Sequence, residues 1–296
     1  MKYSAYKSSL FIFVSSFSLL TSMFCYAQEN PIISDFFVLT IPKSGTHMAL
    51  KMLHMLTSKK GVIIFHELPV SYAGTFREDI SRVNFSTAQI EEFFSNWKIN
   101  NSFVLAHFNL ADDFNRFWLD HTDYIKIIQI RDLRDVCVSC VFHQSEDIEK
   151  EIGPSSFAEK LLFVICLGST QTKNRLFHIK KHAKIALEWM QEPHTVLCRF
   201  ENLVGEQGGG SLKSQREQIA AIAESLNIEL NTEKLNWITD NLFGINTGPL
   251  IPSTYREGKI GSWRNYFNDE HKRAFEEHLG DIQLSLGYCL FDDERN

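Results

Sequence analysis

Five short apolar segments occur along this chain, and between them apolar residues recur at the spacing of an α-helix. The segments are residues 36–39, 61–65, 102–107, 124–130 and 195–200, and each predicts a buried strand. Strands that alternate with helices form a parallel sheet with helices packed against it. We therefore predict an α/β fold: a single domain with a central parallel sheet of about five strands flanked by helices.

The periodic segments between the strands predict the helices. They follow the first strand from Met48 and the fourth from Val136, and they recur at 86–97, 112–119, 157–169, 174–190, 214–226, 231–244 and 269–279. Loops are predicted where periodicity is lost, at 66–85, 144–156 and 245–262. The glycine-rich residues 206–211 predict a flexible surface loop.

The first 27 residues differ from the rest of the chain. Lys2 and Lys7 are their only charges, residues 10–24 are apolar with interspersed serines, and Cys25-Tyr26-Ala27 follows. This pattern is typical of a secretory signal, and the apolar core is short for a membrane span of about 20 residues. A cleaved signal, an uncleaved anchor over residues 8–24 and a wrongly assigned start all stay open.

We accordingly expect residues 1–27 to be a signal peptide or N-terminal anchor, and residues 28–296 to form the domain. The protein would then be exported, to a periplasmic, secreted or lumenal location, and would contact a membrane only through this segment. Its formal net charge of −6 gives no global basic field, so nucleic acid is not expected as a partner. An anionic ligand would need a local cluster of positive groups.

Five cysteines remain after the first 27 residues, and an odd number at scattered positions does not predict a disulfide framework. Cys137 and Cys140 form one CxxC pair without a second pair, so we expect no zinc site. They are better explained as small apolar residues on one helix face. No metal is expected.

The stretch from Thr40 to His47 combines a strand end, a short turn and a helix start. The turn holds Lys43, Ser44, Gly45 and Thr46. Unpaired N–H groups at a helix N-terminus favour an anion, and the lysine and hydroxyls can donate to it, so the turn predicts an anion cradle. An ordinary βα turn is the alternative. The nucleotide P-loop places its lysine after a second glycine, whereas Lys43 precedes the only glycine.

Three predicted strands end in residues that carry chemistry. The first delivers Lys43, the third His107 and the fourth Arg131. Ligands of parallel sheets bind beyond the carboxyl ends of the strands, so these side chains are expected on one edge. Singly, His107 could bond to the backbone, and Arg131 could pair with Asp132 or Asp135.

Four motifs resemble the sulfotransferases that use 3′-phosphoadenosine 5′-phosphosulfate (PAPS), and the resemblance covers nearly all of residues 35–290. The order Pro-Lys-Ser-Gly-Thr at 42–46 resembles the 5′-phosphosulfate loop of that family. Residues 131–139, RDLRDVCVS, resemble its RDPRDVxVS element. Residues 200–203, FENL, are similar to YEDL, and residues 255–264, YREGKIGSWR, are similar to FRKGxxGDWK.

The resemblance implies a P-loop-like nucleotide-binding architecture and an in-line transfer of a sulfuryl group from PAPS to a hydroxyl or amine. It implies that His107 takes the acceptor proton and that Lys43 stabilises the bridging oxygen. The implied ligands of the nucleotide are Lys43, Ser44, Gly45, Thr46 and His47 at the 5′-phosphate, Arg131, Ser139, Arg256 and Gly258 at the 3′-phosphate, and Phe200 at the adenine. The acceptor would be a small molecule or a glycan.

Several positions depart from the family pattern. Met48 stands where a tryptophan usually stacks on adenine, Phe200 replaces a tyrosine, and Glu257 replaces a lysine beside the proposed phosphate. The KxxxTVxxxE dimer motif is not found at 264–273, so the oligomeric state stays open. An exported nucleotide-binding protein without turnover is an alternative function, and a P-loop kinase is a third.

The sequence carries no recognisable code for the acceptor. Its pocket is expected from residues 66–85, 143–156 and 245–255. Four aromatic residues could form an aromatic wall there or serve as packing: Tyr72, Phe76, Phe85 and Phe142.

Overall fold

The computed structural model describes residues 34–65, 68–70, 102–107, 124–167, 178–244 and 256–291. The predicted helices at 86–97 and 112–119 lie outside these residues. So do most of the predicted acceptor segments 66–85 and 245–255, including Tyr72, Phe76 and Phe85.

A six-stranded sheet forms the centre of the described fold. Its strands are β1 (Phe36–Thr40), β2 (Lys60–Phe65), β3 (Leu68–Val70), β4 (Ser102–His107), β5 (Ile125–Ile130) and β6 (Thr195–Arg199). Their order across the sheet is β3-β2-β4-β1-β5-β6, so β1 lies between β4 and β5. The α/β class and the parallel sheet predicted from the sequence are confirmed.

One strand of the sheet was not predicted. β3 pairs antiparallel with the edge strand β2, whereas the sequence analysis placed Leu68–Val70 in an irregular segment. That prediction was wrong because a three-residue strand containing a proline has no periodicity to detect. Pro69 lies on the outermost strand, where a missing ladder donor is tolerated.

Eight α-helices are described around the sheet. They are α1 (Thr46–Thr57), α2 (Leu133–Ile152), α3 (Phe157–Cys166), α4 (Ile179–Trp189), the single turn α5 (Phe200–Leu203), α6 (Leu212–Ser225), α7 (Thr232–Leu242) and α8 (Asp269–Ser285). Short 3₁₀ turns occupy Glu206–Gly208 and Ser262–Asn265. None of the helices within these described ranges is long and apolar enough to cross a membrane.

Two predicted loops are instead ordered elements. Residues 144–152 continue α2 past a local break at Gln144, whose φ of −119° is not helical. A contact of Lys160 on α3 with Glu149 fastens this extension. The predicted flexible loop 206–211 is a tight turn in which Gly208 is buried against Val204. The last helix also runs to Ser285 rather than 279.

The sheet is apolar on both faces, as expected for parallel strands covered by helices. Along β1, Phe37 and Leu39 join a core with α2, α3, α4 and α8, whereas Phe36 and Val38 join a second core with α1, α6 and α7. Successive side chains of a strand point to opposite faces, which explains the alternation. Because β4, β1 and β5 are parallel and adjacent, the polar residues at or after their carboxyl ends lie on the same side of the sheet.

Candidate functional site

The turn between β1 and α1 is held in an unusual backbone conformation. Lys43 has a φ of 66° and Gly45 a φ of 101°, both in the left-handed region. No side chain caps the N-terminus of α1 at Gly45, within the part of the chain described. A helix start without a side-chain cap is the backbone geometry that the anion-cradle prediction needs, and the cradle itself stays a prediction.

Gln129, near the end of β5, fixes this turn to the sheet. Its side-chain Nε2 donates to the carbonyl oxygen of Ser44 at 2.9 Å, and the Ser44 hydroxyl donates to the carbonyl of Gln129 at 3.3 Å. Thr40 and Thr46 join their hydroxyls across the turn at 3.1 Å. Ser44 is fully buried and Thr46 nearly so, so these hydroxyls organise the loop from its inner side.

The electrostatics of the turn show which groups lie near Lys43. Burial, followed by the positive charge of Arg131, lowers the pKa of Lys43 to about 8, and the Cys140 thiol lies close enough to act in the opposite direction. Burial and the charges of Lys43 and His143 lower the pKa of His47 to about 4. His47 is therefore neutral at pH 7, while Lys43 carries most of its charge there.

The carboxyl ends of β1, β4 and β5 are adjacent, as predicted. Thr40 of β1 is in register with His107 of β4 and with Gln129 of β5, and Arg131 follows β5 directly. His107 is thus the last residue of its strand, next to the turn that bears Lys43. The imidazole of His107 lies outside the described part of the structure.

Arg131 is nearly buried, and contacts from three elements surround its guanidinium. Its Nη2 donates to the carbonyl of Lys259 at 2.7 Å and to Oδ2 of Asp135 at 3.3 Å. Its guanidinium carbon lies 4.0 Å from the ring centre of Phe200. Its Nε is buried and has no hydrogen-bond partner among the described residues. A buried charged donor without a protein partner fits a site built for an anion.

Phe200, the predicted adenine contact, is buried beside the Lys43 turn. The residue is 2% exposed and lies between Arg131 and Gly45. A Cβ added at Gly45 would come within 2.5 Å of its Cδ2, so the ring fits only because that residue is glycine. Phe200 thus packs against both predicted phosphate-binding elements, and its contact with an adenine stays a prediction.

The remaining predicted 3′-phosphate ligands lie on α2 and on the segment 256–264. Ser139 is half-buried on α2, two turns beyond Arg131. The side chain of Arg256 donates to the Ser262 hydroxyl at 3.3 Å, pairs with Glu257 at 2.9 Å and lies 4.4 Å from the ring centre of Phe142. Gly258 has a φ of 63°.

Asp135 fastens the segment 256–264 to the start of α2. Its fully buried carboxylate accepts hydrogen bonds from the backbone of Gly261 at 2.8 Å and of Trp263 at 2.9 Å, and from the Ser262 hydroxyl at 3.2 Å. The segment also donates from Ile260 to the carbonyl of Gly208. Sequence reasoning considered Asp135 only as a partner of Arg131 and missed this role.

His143 begins the segment 143–156 that the sequence analysis assigned to the acceptor pocket, although it was not singled out there. It lies one helical turn after Ser139, and its side chain is exposed. Partial burial and the charge of Lys43 lower the pKa of His143 to about 4, so the imidazole is neutral at pH 7. The spacing of Ser139 and His143 on one helix was the available signal.

The five described cysteines are free thiols, and three of them lie in the two cores: Cys137, Cys140 and Cys198. Cys137 and Cys140 are buried on α2 among apolar residues, which confirms their prediction as packing residues. Burial raises the pKa of the Cys140 thiol to about 12, so it is neutral beside Lys43. Within the described ranges, no cluster of histidine, cysteine or acidic residues could hold a metal ion.

Comparison with known proteins identifies the family of the chain and a solved structure with the same fold. The model of the sulfotransferase domain family matches residues 34–284. The crystal structure of mouse sulfotransferase SULT7A1 complexed with PAP matches 89% of this chain and 90% of that chain, with a TM-score of 0.56 and 18% sequence identity. At this identity the likeness shows a shared fold. No curated protein sequence is significantly similar to the chain.

Proposed function

Because the chain belongs to the sulfotransferase domain family, as the match over residues 34–284 shows, we propose that it transfers a sulfuryl group from PAPS to a hydroxyl or amine acceptor. The proposal includes an in-line displacement and a P-loop-like nucleotide site. The mouse sulfotransferase of the same fold is complexed with PAP, which supports a related nucleotide here. The acceptor class proposed is a small molecule or a glycan.

One observation carries the proposal: a single chain of contacts joins the two predicted phosphate-binding elements. Phe200 packs against Gly45 of the Lys43 turn and against the guanidinium of Arg131. Arg131 in turn donates to the carbonyl of Lys259 in the segment 256–264. A ligand with one anionic group at the Lys43 turn and another near Arg131 matches this arrangement, and PAPS is such a ligand.

The residues divide the work of binding between the two ends of the nucleotide. Lys43, Ser44, Gly45, Thr46 and His47 would hold the 5′-phosphosulfate end with the donors of the turn and the first turn of α1. Arg131, Ser139, Arg256 and Gly258 would hold the 3′-phosphate. PAPS supplies the activated sulfuryl group, and catalysis of such transfers rests on positioning and charge stabilisation.

Two residues would act on the reacting atoms. The amine of Lys43 would stabilise charge at the oxygen that leaves the sulfuryl group. His107, next to Thr40 at the end of β4, would take the proton of the acceptor hydroxyl. An unperturbed histidine has a pKa of about 6.5, which suits a general base near neutral pH. We also propose that residues 1–27 direct the chain to export.

Turnover of labelled PAPS with a panel of phenolic, amine and glycan acceptors tests the proposed function. We expect sulfated product to form with at least one acceptor class and PAP to accumulate in equal amount. Binding of PAPS without product for any acceptor would favour a nucleotide-binding protein without turnover. Transfer of the terminal phosphoryl group of ATP to an acceptor, with release of ADP, would contradict the proposal.

A further inference from the structure

We propose that Asp135 is a positioning residue that joins Arg131 and the segment 256–264 into a single binding unit for the 3′-phosphate. This inference rests on the proposed function for the identity of the ligand. It concerns how the site is assembled, which the contacts of Asp135 show directly. Asp135 itself touches no ligand in this proposal and acts through the residues that do.

The two carboxylate oxygens of Asp135 serve different partners. Oδ1 accepts from the Ser262 hydroxyl and the Trp263 backbone, and Oδ2 accepts from Arg131 and the Gly261 backbone. All four partners are donors, and the side chain is 0% exposed. A buried carboxylate is favourable only where such donors replace water, so the segment must close on α2 for Asp135 to be satisfied.

Arg131 gains a fixed orientation from the same assembly. Its Nη2 lies between Asp135 of α2 and the carbonyl of Lys259 in the segment, while Phe200 covers one face of its guanidinium. A planar guanidinium held at one nitrogen and on one face keeps little rotational freedom. Its buried Nε, which has no partner in the described ranges, is thereby held in one direction.

The other cation of the site depends on the segment as well. Arg256 donates to the Ser262 hydroxyl, which itself donates to Asp135. The Asp135 carboxylate therefore binds Arg131 through one hydrogen bond and is linked to Arg256 through two hydrogen bonds, by way of the Ser262 hydroxyl. Releasing the segment from Asp135 would misplace both cations together, whereas the Lys43 turn is held by Gln129 and would stay in place.

The neighbouring Asp132 shows that not every acid of this helix start has this role. Asp132 caps α2 by accepting from the backbone of Arg134, and it also binds the Arg134 side chain and Gln283. The contact with Gln283 fastens α2 to α8, and the guanidinium of Arg134 stacks on Trp263 of the segment 256–264 at 4.2 Å. Of the two acids, Asp135 is the one that accepts hydrogen bonds directly from that segment within the described ranges.

The test is Asp135→Asn, measured by calorimetric titration with 3′-phosphoadenosine 5′-phosphate and with adenosine 5′-phosphosulfate, which lacks the 3′-phosphate. Each carboxylate oxygen of Asp135 accepts from two donors. An asparagine side chain must put its NH₂ group, which cannot accept, in the place of one of these oxygens, so two of the four hydrogen bonds are lost. We expect the first ligand to bind about ten- to a hundredfold more weakly and the second to change by less than about threefold. Asp269→Asn, an exposed acid paired with Lys272, is the matched control.

Two further measurements separate positioning from general support of the fold. Amide hydrogen exchange of Gly261 and Trp263 should accelerate in the nucleotide-free variant. In the double variant with Arg131→Ala, the loss of affinity should exceed that of Arg131→Ala by no more than about threefold, because both changes disable one unit. Equal weakening of both nucleotides, or losses that multiply in the double variant, would overturn the proposal.

A milder variant covers the case in which Asp135→Asn does not fold. Ser262→Ala removes one donor to Asp135 and should give a smaller loss with the same preference for the 3′-phosphorylated ligand; an unchanged ratio of the two affinities would overturn the proposal. If wild-type protein binds neither nucleotide, the proposed function fails. Unchanged amide exchange in Asp135→Asn would instead reject the role of Asp135.

Discussion

The guanidinium of Arg256 forms an ion pair with the carboxylate of the next residue, with 2.9 Å between Nη1 and Oε1 of Glu257. Both side chains are partly exposed, so the pair adds little to folding. Its consequence is functional, because a residue proposed to hold a phosphate is already partly neutralised. The family pattern has a lysine at the position of Glu257, so this chain departs from that pattern beside the proposed position of the 3′-phosphate.

Removing this carboxylate should favour the 3′-phosphorylated nucleotide. Glu257→Gln frees Arg256, and we expect about two- to fivefold tighter binding of 3′-phosphoadenosine 5′-phosphate, with a larger gain for Glu257→Lys. Adenosine 5′-phosphosulfate should bind with unchanged affinity in both variants. Calorimetric titration measures the effect, and Glu217→Gln, an exposed acid near Lys213, is the control. Tightening of both ligands alike would mean that Glu257 acts through overall charge.

Arg131→Ala should remove the selectivity for the 3′-phosphate. A lost charge-assisted hydrogen bond costs about 1.5–3 kcal/mol, which predicts roughly ten- to a hundredfold weaker binding of the 3′-phosphorylated nucleotide. Adenosine 5′-phosphosulfate should be affected much less. Arg216→Ala, which removes a surface arginine that contacts Asn236, is the control. If both nucleotides lose affinity equally, Arg131 supports the fold rather than the phosphate.

The pH dependence of nucleotide binding should follow Lys43. Its pKa is about 8, chiefly because of burial, so the amine loses its proton as the pH rises through 8 while an unfolded lysine keeps it up to about 10.5. Affinity should therefore fall above pH 8, and ligand binding there should take up protons. In Lys43→Arg the charge persists, so the affinity should stay level from pH 7 to 9.5. A wild-type affinity that is level over this range would contradict the assignment.

The sign for folding stability is opposite to that for binding. Between pH 8 and 10.5 the unfolded state binds more protons than the folded state at Lys43, so the contribution of this residue to the free energy of unfolding rises with pH. The charged amine thus opposes folding below pH 8. An anion bound at the turn would reduce this destabilisation, because it would pair with the charged amine.

His107→Ala should lower kcat by about 10²–10⁴, because a general base is lost. Binding of 3′-phosphoadenosine 5′-phosphate should remain nearly intact, since the histidine is proposed to face the acceptor. His54→Ala is a matched control, because the ring of His54 bonds to the carbonyl of Lys59 at the far end of α1. Wild-type turnover in His107→Ala would remove His107 from the mechanism.

Export predicts a processed N-terminus. Sequencing of the mature protein from its native host should find a start at or near Gln28, since residues 1–27 have the pattern of a secretory signal. An intact Met1 on protein recovered from the membrane fraction would support the anchor. An intact Met1 on soluble cytosolic protein would contradict both interpretations.

Local patterns in the sequence were sufficient to predict the strands and the turn on which the candidate site residues lie. The five apolar segments became five strands, and the turn at Lys43 joins β1 to α1 as predicted. These features depend on burial and on turn chemistry within a few residues. The extension of α2 through 152 could not be predicted in this way, because its polar residues show no periodicity and its support comes from Lys160 on another helix.

The contacts between side chains within the site could not be predicted from the sequence either. Phe200 packs against Gly45 and Arg131, which are distant from it in sequence. Asp135 was considered only as an ion-pair partner, whereas three of its four hydrogen bonds come from residues 261–263. Neither contact leaves a signal within a single sequence window.

The backbone of Lys43 gives this loop a thermodynamic character of its own. A side chain in the left-handed region costs about 1–2 kcal/mol relative to its usual conformation, and the buried amine adds a desolvation cost. The position that the proposed chemistry most needs is therefore one that weakens the fold. The surrounding sheet and helices keep the loop in this conformation without a ligand. Binding of an anion therefore costs less conformational entropy of the loop.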